Sequence, residues 1–256
     1  MSAQSSRFSL EERECLREHY RLTNTPSSDR RLSLAASDLL DAETCRTYLM
    51  ATPLWKEKEL PAVASQFAKR YGFLTMSAAL YAMTMYDKGL NCALDRCSVE
   101  SVYREDAWLP ELRLVDEEVT VPGSEGRDAW REAVIRGIFA ENIAIVWQAM
   151  AGAARMPVSI LWENLAASFY WLYETKMPEE AADPKQRMQI EEDFRFLLEA
   201  PTEWFGLHEN PLRMYDSPKI IPTGDGIMKR KRKTCCLLYR VSASGAYCKT
   251  CPLLKA

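Results

Sequence analysis

The stretch DAWREAVIRGIFAENIAIVWQAMAGAA, Asp128 to Ala154, decides the fold class. Its apolar side chains return every three or four residues, the period of a helix with one face turned inward. Pro157 then breaks the pattern, since proline lacks the N–H a continuing helix needs. Working outward, the same reading recurs on both sides. Ser9-Leu10-Glu11-Glu12 fits a capping box that opens a helix toward Tyr20. Pro61 suits a first helical position, Lys69-Arg70 before Gly72 suits an end, and Thr75 to Tyr86 carries a further helix that stops at Gly89. Leu161, Leu165, Phe169 and Leu172 share one helical face, and Asp183-Pro184 caps a helix running to Leu198. Only Ser98 to Val121 departs from this period. Val99 with Val102, Leu112 with Leu114, and Val119 with Val121 predict short strands of a small antiparallel sheet. The expected class is mainly α, or α+β: a helical body with one small sheet. Residues 206–227, rich in Pro, Gly and Asp, read as a connecting loop.

The chain has 256 residues, 47 % hydrophobic, with a formal net charge of -3. That is apolar enough for a full core and too apolar for a disordered chain. The total charge excludes a protein whose whole surface binds polyanions. The longest apolar stretch, Ile143 to Ala154, is broken by Gln148 and falls short of the ~20 residues that cross a bilayer. Stable membrane insertion is therefore not expected. Met1 to Glu14 is polar and charged where a secretory signal is hydrophobic, so the expected location is cytoplasmic.

The averages conceal a division. Between Met228 and Ala256 lie eight basic residues and no acidic one; the rest of the chain has 25 basic against 36 acidic. Half of the eight cysteines sit in the same tail: Cys235, Cys236, Cys248 and Cys251. The chain thus divides into a body, residues 1–227, and a basic cysteine segment, residues 228–256. Cys15, Cys45, Cys92 and Cys97 are dispersed and read as packing thiols. His19 and His208 have no partner at ligand spacing. Glu163 reads as a charge on a helix surface.

A vicinal Cys235-Cys236 pair, eleven residues, and a C-x-x-C form the cluster. Two-residue spacing lets both sulfurs turn onto one metal. Adjacent side chains diverge from an extended backbone, so a vicinal pair suits a wider object better than a small tetrahedral zinc site, which usually has two spaced knuckles. A [2Fe-2S] cluster needs two thiolates per iron and spreads its four ligands. Charge does not separate the two, because both centres carry -2 when four thiolates bind. It does argue for an anionic centre among so many cations.

Lys-Arg-Lys-Thr-Cys235-Cys236-Leu-Leu-Tyr239-Arg240, followed by Cys248-x-x-Cys251, resembles the C-terminal signature of FhuF-type ferric siderophore reductases. Ile160-Leu161-Trp162-Glu163-Asn164 is similar to an Ile-Trp-x-Asn segment of the same proteins. The family spacing between cysteine pairs is ten; the additional residue here falls in Ser242 to Ala246, a Ser/Gly loop able to absorb it. The resemblance implies a [2Fe-2S] cluster on Cys235, Cys236, Cys248 and Cys251. It also implies one-electron reduction of a ferric siderophore, hydroxamate or citrate-hydroxamate in type, with release of Fe(II). Oxygen donors hold Fe(III) far better than Fe(II), so one electron loosens the chelate without cutting it.

Arg230, Lys231, Arg232, Lys233 and Arg240 are the expected contacts to an oxygen-rich chelate, with Trp162 and Asn164 from the body. No base or nucleophile is required. Gly224-Asp-Gly226 lacks the third glycine of a dinucleotide fingerprint, so an external electron donor, a ferredoxin-like protein or another reductase, is implied. Two other readings stand beside this one. The first is a zinc-knuckle protein whose Lys229 to Lys233 meets nucleic acid, against which the acidic body weighs. The second is a cluster-based redox or iron sensor.

Overall fold

The computed structural model describes residues 4–28, 32–52, 58–104, 107–115, 118–222 and 228–254. Three long helical rods form its centre, and each contains one π turn. The first joins Leu60–Gly72, the π turn Phe73–Ser77 and Ala78–Tyr86. The second joins Arg127–Ile138, Phe139–Ile143 and Ala144–Ala154. The third joins Val158–Trp171, Leu172–Lys176 and Met177–Glu180. Phe67, Tyr71, Leu74, Trp147 and Phe169 are buried among them.

Gly72 does not end a helix, contrary to the reading of its sequence. A Cβ there would stand 2.7 Å from Leu165 Cδ1 and 3.3 Å from a ring carbon of Trp147. The glycine is a crossing point: its missing side chain lets the three rods approach one another. The rod ends instead at Asp87, whose left-handed φ of 51° closes it. The second rod is longer than its apolar stretch suggested. Arg127–Ala154 is long and apolar enough to cross a membrane by length and composition, yet half of its most apolar window is buried inside the protein. It packs on the first and third rods, and it carries buried Arg131, which meets buried Asp193 at 2.5 Å. Arg127 grips both oxygens of the same carboxylate at 2.5 and 2.8 Å. Such a bidentate pair suits a helix of a folded core.

Leu10–Tyr20 carries the full capping box at Ser9, and Pro184–Glu199 begins at capping Asp183. Leu161, Leu165, Phe169 and Leu172 are all buried. The fold is mainly α with small sheets. Strands are present at Val99, at Leu112 with Leu114 and at Val119 with Val121, but Val102 lies outside them, and they recruit partners from earlier in the chain. Glu111–Leu114 pairs antiparallel with Cys97–Glu100 and parallel with Leu22–Thr23, while Leu34–Ala35 adds the far edge. Val119–Val121 lies between Gln4–Ser6 and Gly89–Leu90 in a second sheet. The connecting segment is also more ordered than its composition suggested. Pro211–Met214 is a helical turn capped by Asn210, and Lys219–Pro222 pairs with Met228–Arg230. That hairpin delivers the cysteine segment to the side of the first and third rods. Residues 223–227, with Gly224 and Gly226, lie outside the described residues.

Candidate metal centre

Two adjacent helical faces build the seat for the cysteines. On Leu60–Gly72, Ser65 and Gln66 both donate to the carbonyl of Cys236, at 2.8 and 2.7 Å. On Val158–Trp171, Asn164 Nδ2 donates to the Ser65 carbonyl and hydroxyl, at 3.0 Å each. The Ser65 carbonyl can only accept, which fixes the orientation of the Asn164 amide. One residue earlier, Glu163 accepts from the Lys233 and Thr234 amides at 2.6 and 2.7 Å, and from the Thr234 hydroxyl. The Arg232 guanidinium stands 3.6 Å from it. Glu163 is therefore not a surface charge. It is buried, and its two oxygens satisfy the backbone immediately before the vicinal cysteines.

The turn that a vicinal pair requires is present. Leu237 takes a left-handed φ of 58° directly after Cys236, and its amide donates to Cys235 Sγ at 3.4 Å. Leu238–Val241 then forms a helical turn against Leu60–Gly72. The second knuckle is tied to the first by the Arg232 amide, which donates to the Thr250 carbonyl at 3.1 Å. Within it, Cys251 N donates to the Cys248 carbonyl at 3.0 Å. Between the knuckles, Ser242 to Ala246 closes on itself. Ala246 N donates to Ser242 Oγ at 3.2 Å, and Gly245 turns the chain with a φ of 68°.

Cys248 acts most strongly on the Cys236 thiol, and Cys251 and Cys236 both act on Cys235. The Cys248 hydrogen bond first, then Lys69, the Leu238 amide and Arg232, pull the Cys236 thiol down to about 5 against the opposing effect of burial. The same shared proton pushes Cys248 up, with burial adding to it, while burial raises Cys235 first and the neighbouring Cys251 adds to that. Among the described residues, no three Cys, His, Asp or Glu side chains close on a single metal-sized point. Four thiols on two knuckles are the donor number of a centre with two metals and two thiolates on each, and equally of one tetrahedral ion.

Comparison with known families agrees with this donor set. Residues 65–219 match the family described as ferric iron reductase FhuF-like transporter, and residues 232–253 match the FhuF 2Fe-2S C-terminal domain. The chain belongs to the FhuF-like family. Its cofactor is accordingly a [2Fe-2S] cluster, and the family supports a function like that of a ferric siderophore reductase, an oxidoreductase. No curated protein matches the chain.

The residues expected to touch substrate occupy different settings. Arg230 stacks over Tyr170 at 4.0 Å and pairs with Glu174 at 2.5 Å and Asp216 at 3.0 Å. Arg232 is buried against Glu163, and its Nε donates to the Thr234 carbonyl at 3.1 Å. Lys233 donates to the Met214 carbonyl at 2.6 Å, and Arg240 pairs with Glu59, the residue before Leu60–Gly72. Lys231 lines a groove between the third rod and Met228–Arg230, with Lys229 and Lys219. Trp162 is buried in the core. Glu163 holds the cysteine segment and Asn164 braces Ser65 of its seat, roles that Ile160 to Asn164 did not reveal because the partners lie far along the chain. Trp171, 41 % exposed beside the groove, was also missed. A large aromatic exposed on a helix was its one available signal.

Proposed function

We propose that this protein is a cytoplasmic ferric siderophore reductase in which Cys235, Cys236, Cys248 and Cys251 hold the cluster. The match of residues 232–253 to the 2Fe-2S C-terminal domain, with that segment seated on Ser65, Gln66 and Glu163, is the observation that carries the reading. When bound, the cluster supplies one electron at a time, at potentials that cysteine-ligated [2Fe-2S] centres take down to about -400 mV. The chain's own residues do the rest. Gln66 and Ser65 fix the Cys236 carbonyl, Glu163 fixes the turn before it, and Lys69 and Arg232 supply positive charge beside the sulfurs. Fe(III) in the chelate gains one electron and becomes Fe(II), whose affinity for hard oxygen donors is far lower. An external one-electron donor, ferredoxin-like or another reductase, restores the protein. Each turnover thus takes one electron from that donor and delivers one to iron, and no bond of the chelator breaks.

The test starts with anaerobic purification. The protein should be red-brown with about two irons and two acid-labile sulfides per chain. After stoichiometric dithionite reduction and removal of excess reductant, a ferric hydroxamate should reoxidise it while Fe(II) appears in a trap. A reduced protein that ignores every ferric chelate would leave only a sensor or carrier. Cys248→Ser or Cys251→Ser should abolish the visible spectrum; a retained spectrum would remove that residue from the ligand set.

A further inference from the structure

A groove runs along the third rod and ends beside Cys248. Its inner part, about 320 Å³, is lined by Lys69, Phe73, Asn164, Trp171, Arg232 and Cys248. Its outer part, about 210 Å³, shares Ala167, Trp171, Arg232 and Thr250 with the inner one and continues past Tyr170 to Lys219, Lys229 and Lys231. Of the four cysteines only Cys248 lines it, so the groove adjoins the sulfurs rather than enclosing them.

Three observations point to an occupant. The first is an unsatisfied group. Asn164 Oδ1 is buried without a hydrogen-bond partner, and Asn164 lines the inner groove. The Asn164 amide cannot turn to relieve this, because its nitrogen is held by the Ser65 carbonyl. Arg232 Nη2, by contrast, is ion-paired to Glu163 at 3.6 Å. The second is aromatic surface. Trp171 is 41 % exposed and rests on Phe73, with ring centroids 6.0 Å apart. The third is charge. Lys69, Lys219, Lys229, Arg230, Lys231 and Arg232 line the two parts; Lys219 and Arg230 pair with Glu174 and Arg232 with Glu163, which leaves the charges of Lys69, Lys229 and Lys231 in excess. This excess is concentrated on a chain whose formal net charge is -3.

We propose that this groove is the chelate seat and that it selects ferric chelates bearing net negative charge, of the carboxylate-hydroxamate class, over neutral trihydroxamates. The inference rests on the reductase reading and adds to it a location and a preference. Free carboxylates meet Lys229 and Lys231 at the outer end. The chelate body lies on Trp171. Iron then sits at the end nearest Cys248.

Binding is measured on the cluster-loaded protein with gallium(III) chelates, which do not accept an electron. A carboxylate-hydroxamate gallium complex should bind about tenfold more tightly than a neutral gallium trihydroxamate, and rising salt should erode that advantage. Lys229→Glu with Lys231→Glu should abolish the preference while leaving the visible spectrum intact, whereas Lys185→Glu, on a distant exposed helix, should leave it unchanged. Trp171→Leu should weaken both complexes alike, by roughly fivefold. Equal affinity for the two complexes, or a preference that survives the double reversal, would overturn the groove assignment. The two readings fail separately. Reduction of ferric chelates with no gallium preference sinks the groove alone, and the predicted gallium preference without any Fe(II) formation sinks the reductase alone.

Discussion

The helical rods and the cysteine segment are held together by different forces. In the rods, large side chains such as Phe67, Tyr71, Trp147 and Phe169 are almost wholly buried. Burying each contributes on the order of 2–3 kcal/mol. Between Met228 and Leu254, only Arg232, Cys236 and Cys251 are buried, while Tyr247, Leu253 and Leu254 remain exposed. Ordering such a segment costs about 1–2 kcal/mol per residue in backbone entropy, which so little apolar burial does not offset. Its order therefore depends on hydrogen bonds to Ser65, Gln66 and Glu163, and on the metal centre that joins its sulfurs. The body folds by excluding water; the tail folds by being tied.

The largest effect that follows is on the tail alone. Anaerobic removal of iron by a chelator should expose Lys229 to Lys249 to trypsin and to amide exchange, while Leu60–Tyr86 keeps its protection. Equal protection of the tail with and without metal would erase the distinction. Next is Glu163→Gln. It removes the charge opposite buried Arg232 and leaves one oxygen where two accepted amides. Breaking a buried pair in this way costs about 3–5 kcal/mol. The loss should appear as lower iron content and faster tail proteolysis, with body helicity by circular dichroism retained. A drop in body melting temperature with the tail intact would instead place Glu163 in the core.

A substitution in the body should do the reverse. Gly72→Ala gains about 1 kcal/mol of helix propensity. It also drives a methyl group to 2.7 Å from Leu165 and 3.3 Å from Trp147. Overpacking costs typically 1–3 kcal/mol, so a net loss of about 1 kcal/mol is expected in denaturant titration, with cluster content per folded chain unchanged. The smallest effect belongs to Ser9→Ala. It removes a cap from Leu10–Tyr20, worth about 1 kcal/mol, and should leave the visible spectrum untouched.

Much of the body was legible because its signals are local. The capping box at Ser9, the Asp183-Pro184 start and the periodic face of Leu161, Leu165 and Phe169 each require only neighbours in sequence. Gly72 misled for the same reason. A glycine after Lys69-Arg70 has the local appearance of a helix end, and only the proximity of Leu165 and Trp147 shows that it is a crossing. The sheets were partly hidden because Leu22–Thr23, Leu34–Ala35 and Gln4–Ser6 are too short to show a period of two, and they become strands only on meeting their partners.

By itself, the sequence determined the helical class, the chemical identity of the sulfur donors and their spacing, and the basic charge around them. These depend on residue type and on separation along the chain. The tertiary structure alone decided which cations are neutralised by Glu174, Asp216 and Glu59, and that Glu163, Ser65 and Gln66 grip the cysteine segment. It also decided that an acceptor on Asn164 is left open beside Cys248. Those outcomes turn on which groups become neighbours across 14 to 181 positions of chain, and hydrogen bonds and ion pairs act only at contact distance.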